Sequence, residues 1–227
     1  MLYWGVILAF AVGFGTVMYL TPKLLLLSLR KHIVDPVGNR KIHTTAASRM
    51  GGVSFFPALL LAVGLSISLM YFIGFRDFPD GFFGRSAGVF GALLMLYALG
   101  VRDDMADVAY QKKFLVQFLA SAVVVSGGVW VRDLHGVLGI GELPACVGMP
   151  LTVFLLIFVT NAINLIDGID GLAAALSILA LAVYGTLFLA DAQLFDALLV
   201  FAALGALLPF FYYNVFSIRR KNGSKIF

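Results

Sequence analysis

The amino-acid sequence predicts an all-α, polytopic membrane protein with about seven transmembrane helices. Of its 227 residues, 61% are hydrophobic and only 12% are charged, whereas a soluble domain is about 45–50% apolar and about 25% charged. The charged residues divide the chain into long uncharged stretches, and seven of these approach the roughly 17–25 apolar residues that a spanning helix needs. This composition excludes a soluble enzyme, a disordered chain and a disulfide scaffold.

The predicted spans follow one another with short connections, at 1–22, 50–75, 86–101, 114–131, 143–166, 171–190 and 197–218. The first begins without a cationic lead-in and ends in Thr-Pro-Lys, so we predict a retained helix rather than a cleaved signal peptide. The third is the shortest, and its helix is expected to include some of its polar flanks. Because no connection is long enough for a further domain, we predict one transmembrane domain over 1–227.

The distribution of basic residues predicts the orientation of the chain. Thirteen of the sixteen Lys and Arg residues lie on one side, in segments 23–49, 102–113, 167–170 and 219–227. Because short cytoplasmic loops carry the excess of Lys and Arg, these segments are predicted to be cytoplasmic. The N-terminus is then outside and the C-terminus inside. The net charge of +4 therefore reflects topology, and no basic patch indicates nucleic-acid binding.

Three polar clusters stand at the predicted cytoplasmic ends of spans, where ionisable groups near a membrane are usually functional. The first lies in the longest cytoplasmic segment and is rich in cations. Two interpretations remain open for it: a basic anchor for anionic lipid head groups, or a site for a phosphate group. Its candidate binding residues are Arg40, Lys41, His43 and Arg49.

The second cluster is the pair Asp103 and Asp104 at the end of the third span, followed by Lys112 and Lys113. Adjacent carboxylates repel each other, so burying both without a cation is unfavourable. The pair is either part of a solvated loop, neutralised by nearby cations, or a Mg²⁺ site acting on a phosphate, since Mg²⁺ binds a few carboxylates together with substrate oxygens.

The third cluster places polar residues three positions apart at Asn161, Asn164, Asp167 and Asp170. On an α-helix this spacing drifts slowly, so the first two or three side chains share a face. Glycines after both aspartates are expected to break the helix. A plain loop does not account for two amides inside an apolar span, and a binding site is the favoured interpretation.

At these residues the sequence resembles the polyprenyl-phosphate N-acetylhexosamine-1-phosphate transferases. The first family pattern, D-P…R-K-x-H…R-x-G-G, is met by Asp35, Pro36, Arg40, Lys41, His43, Arg49, Gly51 and Gly52. The second, an Asp pair followed by Lys and Gln, is met by Asp103, Asp104, Lys113 and Gln117. The third, N-x-x-N-x-x-D-G-x-D-G-L, is met by Asn161, Asn164, Asp167, Gly168, Asp170, Gly171 and Leu172.

The resemblance implies transfer of a sugar-1-phosphate, GlcNAc-1-phosphate first of all, from a UDP-sugar to undecaprenyl phosphate, with release of UMP. The implied cofactor is Mg²⁺, or Mn²⁺ in its place. The implied setting is the inner membrane, with the active face cytoplasmic, at the first membrane step of cell-wall, lipopolysaccharide or O-antigen synthesis. The implied partners are the UDP-sugar, the polyprenyl phosphate and the membrane; a homodimer is compatible with the resemblance and nucleic acid is not expected.

The resemblance also implies roles for individual residues. Asp103 and Asp104 would form the catalytic pair, and Asp104 and Asn164 would be metal ligands. The remaining implied residues would bind substrate: Lys113, Asn161, Asp167, Asp170, Arg40, Lys41, His43 and Arg49. The last four belong to the first cluster and would lie near the lipid phosphate.

One departure from the family pattern bears on activity. Family members have about ten or eleven spans, and a fourth motif, M-G-D-x-G-S, follows a span like 197–218. This sequence ends in Lys225-Ile226-Phe227, so we expect a chain truncated just before that motif. The alternatives are a phospho-MurNAc-pentapeptide transferase and, in another class, an inactive scaffold subunit or a transporter. A transporter would place polar residues near mid-membrane or on both faces.

Overall fold

A computed structural model describes residues 2–30, 49–76, 78–169 and 171–216. Seven α-helices account for most of these residues, and the part of the chain so described contains no strand beyond one isolated bridge between Asp133 and Glu142. The helices are α1 (Leu2–Arg30), α2 (Phe55–Phe72), α3 (Phe82–Met105), α4 (Tyr110–Ser126), α5 (Ala145–Ile166), α6 (Leu172–Ala190) and α7 (Leu194–Phe216).

The all-α, polytopic prediction is confirmed. Six of the described helices, all except α4, are long and apolar enough to cross a membrane. Helix α4 has 17 residues, which is the lower end of the roughly 17–25 residues in spanning helices. The shortest predicted span, 86–101, lies within the 24 residues of α3, which extends into its polar flanks as expected. The orientation of the chain stays a prediction.

The helices form two compact units, and the first comprises residues 1–76 and 167–227. Here α7 packs against α1, α2 and α6. Glycines allow close approach of α1 and α7, because a Cβ at Gly13 or Gly205 would overlap backbone atoms of the other helix. A buried hydrogen bond of 3.0 Å joins the hydroxyl groups of Thr21 and Ser54. Small residues and buried hydroxyls are the usual contacts between helices in membranes.

Helix α6 begins in the same unit at a glycine with a special conformation. Gly171 has φ 77°, in the left-handed region, and a Cβ there would collide with Val215 on α7. Both the backbone angle and the lack of space require glycine at this position. The predicted helix break is thereby confirmed, since α5 ends at Ile166 and α6 starts at Leu172.

The second unit, residues 77–166, contains α3, α4 and α5, with α4 packed against both neighbours. Helices α3 and α4 meet through glycines: a Cβ at Gly127 would lie 2.8 Å from the Gly84 carbonyl oxygen and 3.1 Å from Gly88 Cα. Between α4 and α5, the backbone N–H of Val131 donates to Thr152 Oγ1 at 2.9 Å. These contacts join the start of α3, the end of α4 and the start of α5.

Candidate functional site

The last turn of α3 carries Asp103 and Asp104, and the chain then runs through an extended segment into α4. Asp103 closes this connection, since its Oδ1 accepts a 3.0 Å hydrogen bond from the backbone N–H of Val108. The same carboxylate accepts a 2.7 Å hydrogen bond from Lys113 Nζ through Oδ2. Asp103 therefore fixes both the 103–108 connection and the first turn of α4.

The ion pair between Asp103 and Lys113 brings together two residues of the second sequence cluster. The two side chains are 32% and 36% exposed, respectively, so solvent screens their attraction and the pair adds little to stability. Its effect is on geometry, because it holds the Lys113 ammonium group beside the end of α3. Asp104 is half-buried and, being one position further along the helix, projects about 100° away from Asp103.

A cleft of about 430 Å³ opens between the start of α4 and the end of α5. Three amide side chains and the Lys113 ammonium group give it a polar wall, and Tyr110 and Phe114 contribute aromatic surface. Its lining residues are Val108, Tyr110, Lys113, Phe114, Gln117, Asn161, Asn164 and Leu165. The second cluster and the two amides of the third thus meet at one end of this unit.

The predicted common face of Asn161 and Asn164 is confirmed, since both line the cleft from the last turns of α5. Asn161 Nδ2 donates to the Ile157 carbonyl oxygen and to Gln117 Oε1, each at 2.8 Å. Gln117 matched the sequence pattern but received no predicted role. The signal that could have found it is a polar amide inside an uncharged predicted span. Its partner, Asn161, is 44 residues away, and sequence spacing does not reveal that contact.

Asp167 follows the end of α5 and belongs to the other compact unit. The residue is solvent-exposed as a whole. Burial of its carboxyl group by neighbouring atoms nevertheless raises the pKa of Asp167 above the ordinary value for aspartate, because partial desolvation disfavours the charged form. A ligand that brings a cation or a hydrogen-bond donor would stabilise the charged form of the Asp167 carboxylate.

Several predicted site residues lie outside the described part of the chain. These are Arg40, Lys41 and His43 of the first cluster and Asp170 of the third. Arg49 begins a 3₁₀ helix, Arg49–Ser54, but its side chain is likewise outside the description. Among the described residues, no three His, Cys, Asp or Glu side chains are grouped closely enough to hold a metal ion.

Comparison with known proteins finds relatives that are all named as transferases. The chain is 30% identical over 211 residues to the probable undecaprenyl-phosphate N-acetylglucosaminyl 1-phosphate transferase of Bacillus subtilis (strain 168), covering 92% of this chain and 55% of that protein. It is 30% identical to the phospho-N-acetylmuramoyl-pentapeptide-transferase of Streptococcus thermophilus (strain CNRZ 1066), covering 80% and 57%. It is 28% identical to the undecaprenyl-phosphate alpha-N-acetylglucosaminyl 1-phosphate transferase of Escherichia coli (strain K12), covering 83% and 48%.

The chain spans about half the length of the curated relatives it matches. The profile of glycosyl transferase family 4 matches residues 86–227, which is more than half of the chain and includes the cleft, both aspartates and the third cluster. The chain therefore belongs to glycosyl transferase family 4.

Proposed function

We propose that this protein transfers GlcNAc-1-phosphate from UDP-GlcNAc to undecaprenyl phosphate at the cytoplasmic face of the inner membrane. The observation that carries the proposal is the cleft beside the Asp103–Lys113 ion pair, where Lys113 and the amides of Asn161 and Asn164 line one wall. Cations suit the charged diphosphate, and amides suit neutral polar groups of a nucleotide or sugar. The names of the relatives supply the undecaprenyl phosphate and the GlcNAc-1-phosphate group, and the UDP-sugar donor rests on the motif resemblance.

The reaction is a displacement at phosphorus. An oxygen of the lipid phosphate forms a bond to the sugar-bearing β-phosphorus of the UDP-sugar. The bond from that phosphorus to the bridging oxygen breaks, and UMP leaves with the electron pair. Any proton on the lipid phosphate passes to a base. Because charge shifts onto the leaving oxygen, positioned cations and hydrogen-bond donors accelerate the step.

We propose different roles for the two aspartates. Both oxygens of Asp103 are engaged, one with the Val108 N–H and one with Lys113, so we assign Asp103 as the residue that positions the lysine. Asp104, which projects about 100° away from Asp103 on the same helix, is the residue that we propose, on the motif resemblance, to orient or deprotonate the lipid phosphate. Lys113 lines the cleft and, in this proposal, neutralises the substrate phosphates.

Mg²⁺, with Mn²⁺ as the substitute, is the proposed cofactor. Mg²⁺ usually takes about one or two carboxylates plus substrate phosphate oxygens, and the Asp104 carboxylate and the Asn164 amide oxygen would supply donors of the kinds it prefers. When bound, the ion would neutralise charge on the diphosphate. Asp167 and Asp170 are proposed to bind the nucleotide, and the cations Arg40, Lys41, His43 and Arg49 the lipid phosphate.

The second candidate is transfer of phospho-MurNAc-pentapeptide, which the Streptococcus thermophilus relative favours at the same 30% identity. The two candidates share the displacement at phosphorus and the lipid acceptor. They differ only in the sugar that the protein accepts, so a substrate comparison separates them.

The test uses membranes that contain this protein, in a strain lacking its own GlcNAc-1-phosphate transferase. The membranes receive undecaprenyl phosphate, Mg²⁺ and either radiolabelled UDP-GlcNAc or radiolabelled UDP-MurNAc-pentapeptide. We expect lipid-linked label from UDP-GlcNAc, equimolar release of UMP, and loss of both on chelation of the metal. Label from the pentapeptide substrate alone would establish the second candidate.

Two variants distinguish a loss of catalysis from a loss of expression. Asp104→Asn is expected to abolish the label, whereas Asp191→Asn, the same change in the turn between α6 and α7, is expected to retain it. Label that survives Asp104→Asn would contradict the catalytic assignment. A protein that inserts stably but yields no label from either sugar would favour a scaffold subunit or a transporter.

A further inference from the structure

A short amide network joins α4 to α5 within the lining of the cleft. Asn161 donates both hydrogens of its Nδ2 group, one to the carbonyl oxygen of Ile157 on its own helix and one to Gln117 Oε1 on α4. Both distances are 2.8 Å, and both amide side chains are half-buried. An amide nitrogen carries only two hydrogens, so this donor group is fully used.

The backbone carbonyl of Ile157 fixes the orientation of both amides. A carbonyl oxygen can only accept, so Asn161 must turn its nitrogen rather than its oxygen towards Ile157. The same nitrogen then faces Gln117, which must present its own oxygen in return. A flip of Asn161 would bring two acceptors together, and a flip of Gln117 would bring two donor groups together, so the hydrogen-bond pattern itself determines the assignment.

This orientation leaves the Nε2 group of Gln117 with two N–H donors and no hydrogen-bond partner among the described residues. Gln117 lines the cleft together with Lys113. No buried side-chain nitrogen or oxygen among the described residues lacks a partner, so this donor group is open to solvent and to a ligand in the cleft. A negatively charged acceptor would complement both this donor group and the ammonium group of Lys113.

We propose that Gln117 is a substrate-binding residue whose Nε2 donates to a phosphate oxygen held next to Lys113. The hydrogen bonds from Asn161 to Ile157 and to Gln117 orient this donor group towards the ligand. The identification of that oxygen as part of a UDP-sugar diphosphate rests on the proposed function. The orientation of the amides rests on the hydrogen bonds, and the preference for an oxyanion rests on that orientation together with Lys113 in the same cleft.

The test measures the affinity of the detergent-purified protein for inorganic diphosphate by isothermal titration calorimetry. Gln117→Glu keeps an oxygen for Asn161 but replaces both N–H donors with a second, negatively charged oxygen. We expect the Kd for diphosphate to rise at least about tenfold, as for loss of a hydrogen bond to a charged group. Gln117→Met, uncharged and similar in length, should also weaken binding, but by a smaller factor.

The matched control is Gln111→Glu, which makes the same chemical change on an exposed position of α4 that does not line the cleft. Its diphosphate affinity should stay close to that of the unaltered protein. The proposal is overturned if Gln117→Glu and Gln117→Met bind diphosphate as the unaltered protein does, if Gln111→Glu weakens binding equally, or if the unaltered protein binds no diphosphate. Diphosphate binding without any lipid-linked product would count against the transferase proposal alone.

Discussion

Asp103 and Asp104 are neighbours in sequence, but the different roles proposed for them predict different kinetic effects. Asp104→Asn should lower kcat by about 100-fold or more, as expected for loss of a general base. Asp103→Asn keeps an oxygen for the Val108 N–H but weakens the attraction of Lys113. A partly exposed ion pair is worth about 0.2–1 kcal/mol, so KM for the UDP-sugar should rise by roughly fivefold at most.

Steady-state kinetics of lipid-linked product formation checks this division of roles, with the two variants compared at equal protein in the membrane. Lys113→Met provides the partner measurement, since its effect on KM should overlap with that of Asp103→Asn instead of adding to it. If Asp103→Asn abolished turnover while Asp104→Asn retained it, the assignments would have to be exchanged.

The raised pKa of Asp167 predicts a pH dependence of substrate binding. Desolvation favours the protonated form, so the carboxylate that is proposed to bind the nucleotide is lost at a higher pH than for an ordinary aspartate. KM for UDP-GlcNAc should therefore rise as pH falls through this raised pKa. Asp167→Asn should show the high KM at every pH, with the acid limb absent from the profile of kcat/KM. An unchanged acid limb in Asp167→Asn would assign the titration to another group.

At the same scale, the sequence predicted which residue types form the site but not how they pair. The three-residue spacing of Asn161 and Asn164 sufficed to place both on one face, because that relation is internal to a single helix. The bond between Gln117 and Asn161, and the Lys113 contact with Asp103, depend on where α4 lies relative to its neighbours. A single sequence does not encode those distances in any periodicity.

At the level of elements, the contact between α3 and α4 should be sensitive to a single methyl group. A Cβ at Gly127 would lie 2.8 Å from the Gly84 carbonyl oxygen, which is backbone and cannot move aside without shifting a helix. Gly127→Ala should therefore destabilise the protein by about 1–3 kcal/mol, as overpacking does. Because the same two helices carry Asp103 and Lys113 at their other ends, a shift of one helix against the other should also lower turnover.

Thermal unfolding of the purified protein in detergent measures this effect, and Gly100→Ala is its matched control. Gly100 lies within the same helix α3, and a Cβ there meets no atom within 4 Å. Since alanine is favoured over glycine in helices by about 1 kcal/mol, this variant should be neutral or more stable. Equal melting temperatures for the two variants would contradict the close packing of α3 and α4.

Helix boundaries show a similar division between what sequence pattern determines and what packing determines. Uncharged stretches located each α-helix in the described part of the chain, because the bilayer excludes charge from the middle of a span. They misplaced the ends: α4 begins at Tyr110 rather than 114 and includes Lys112 and Lys113 in its first turns. Long cationic side chains can extend from a helix end towards water, so charge does not mark where a helix stops.

For the whole molecule, the uneven distribution of Lys and Arg predicts which side of the membrane each connection faces. The positions of the helices alone do not test this orientation. Thirteen of sixteen cations lie in the segments predicted to be cytoplasmic. The connection between α3 and α4, with its aspartates and Lys113, would then face the cytoplasm, where UDP-sugars are made. The connection between α4 and α5 would face outward, and Cys146 lies at the beginning of α5 just beyond it.

The only cysteine of the chain gives a direct measurement of this topology. Cys146 is exposed and free, so a membrane-impermeant maleimide added to intact spheroplasts should label it. In a Cys146→Ser background, Asp107→Cys places a thiol in the exposed connection between α3 and α4, and labelling there should require permeabilised membranes. The opposite pattern would put the cleft on the outer side. Since a nucleotide sugar made inside the cell could not reach an outward-facing cleft, that result would contradict both the orientation and the transferase proposal, even if the fold is unchanged.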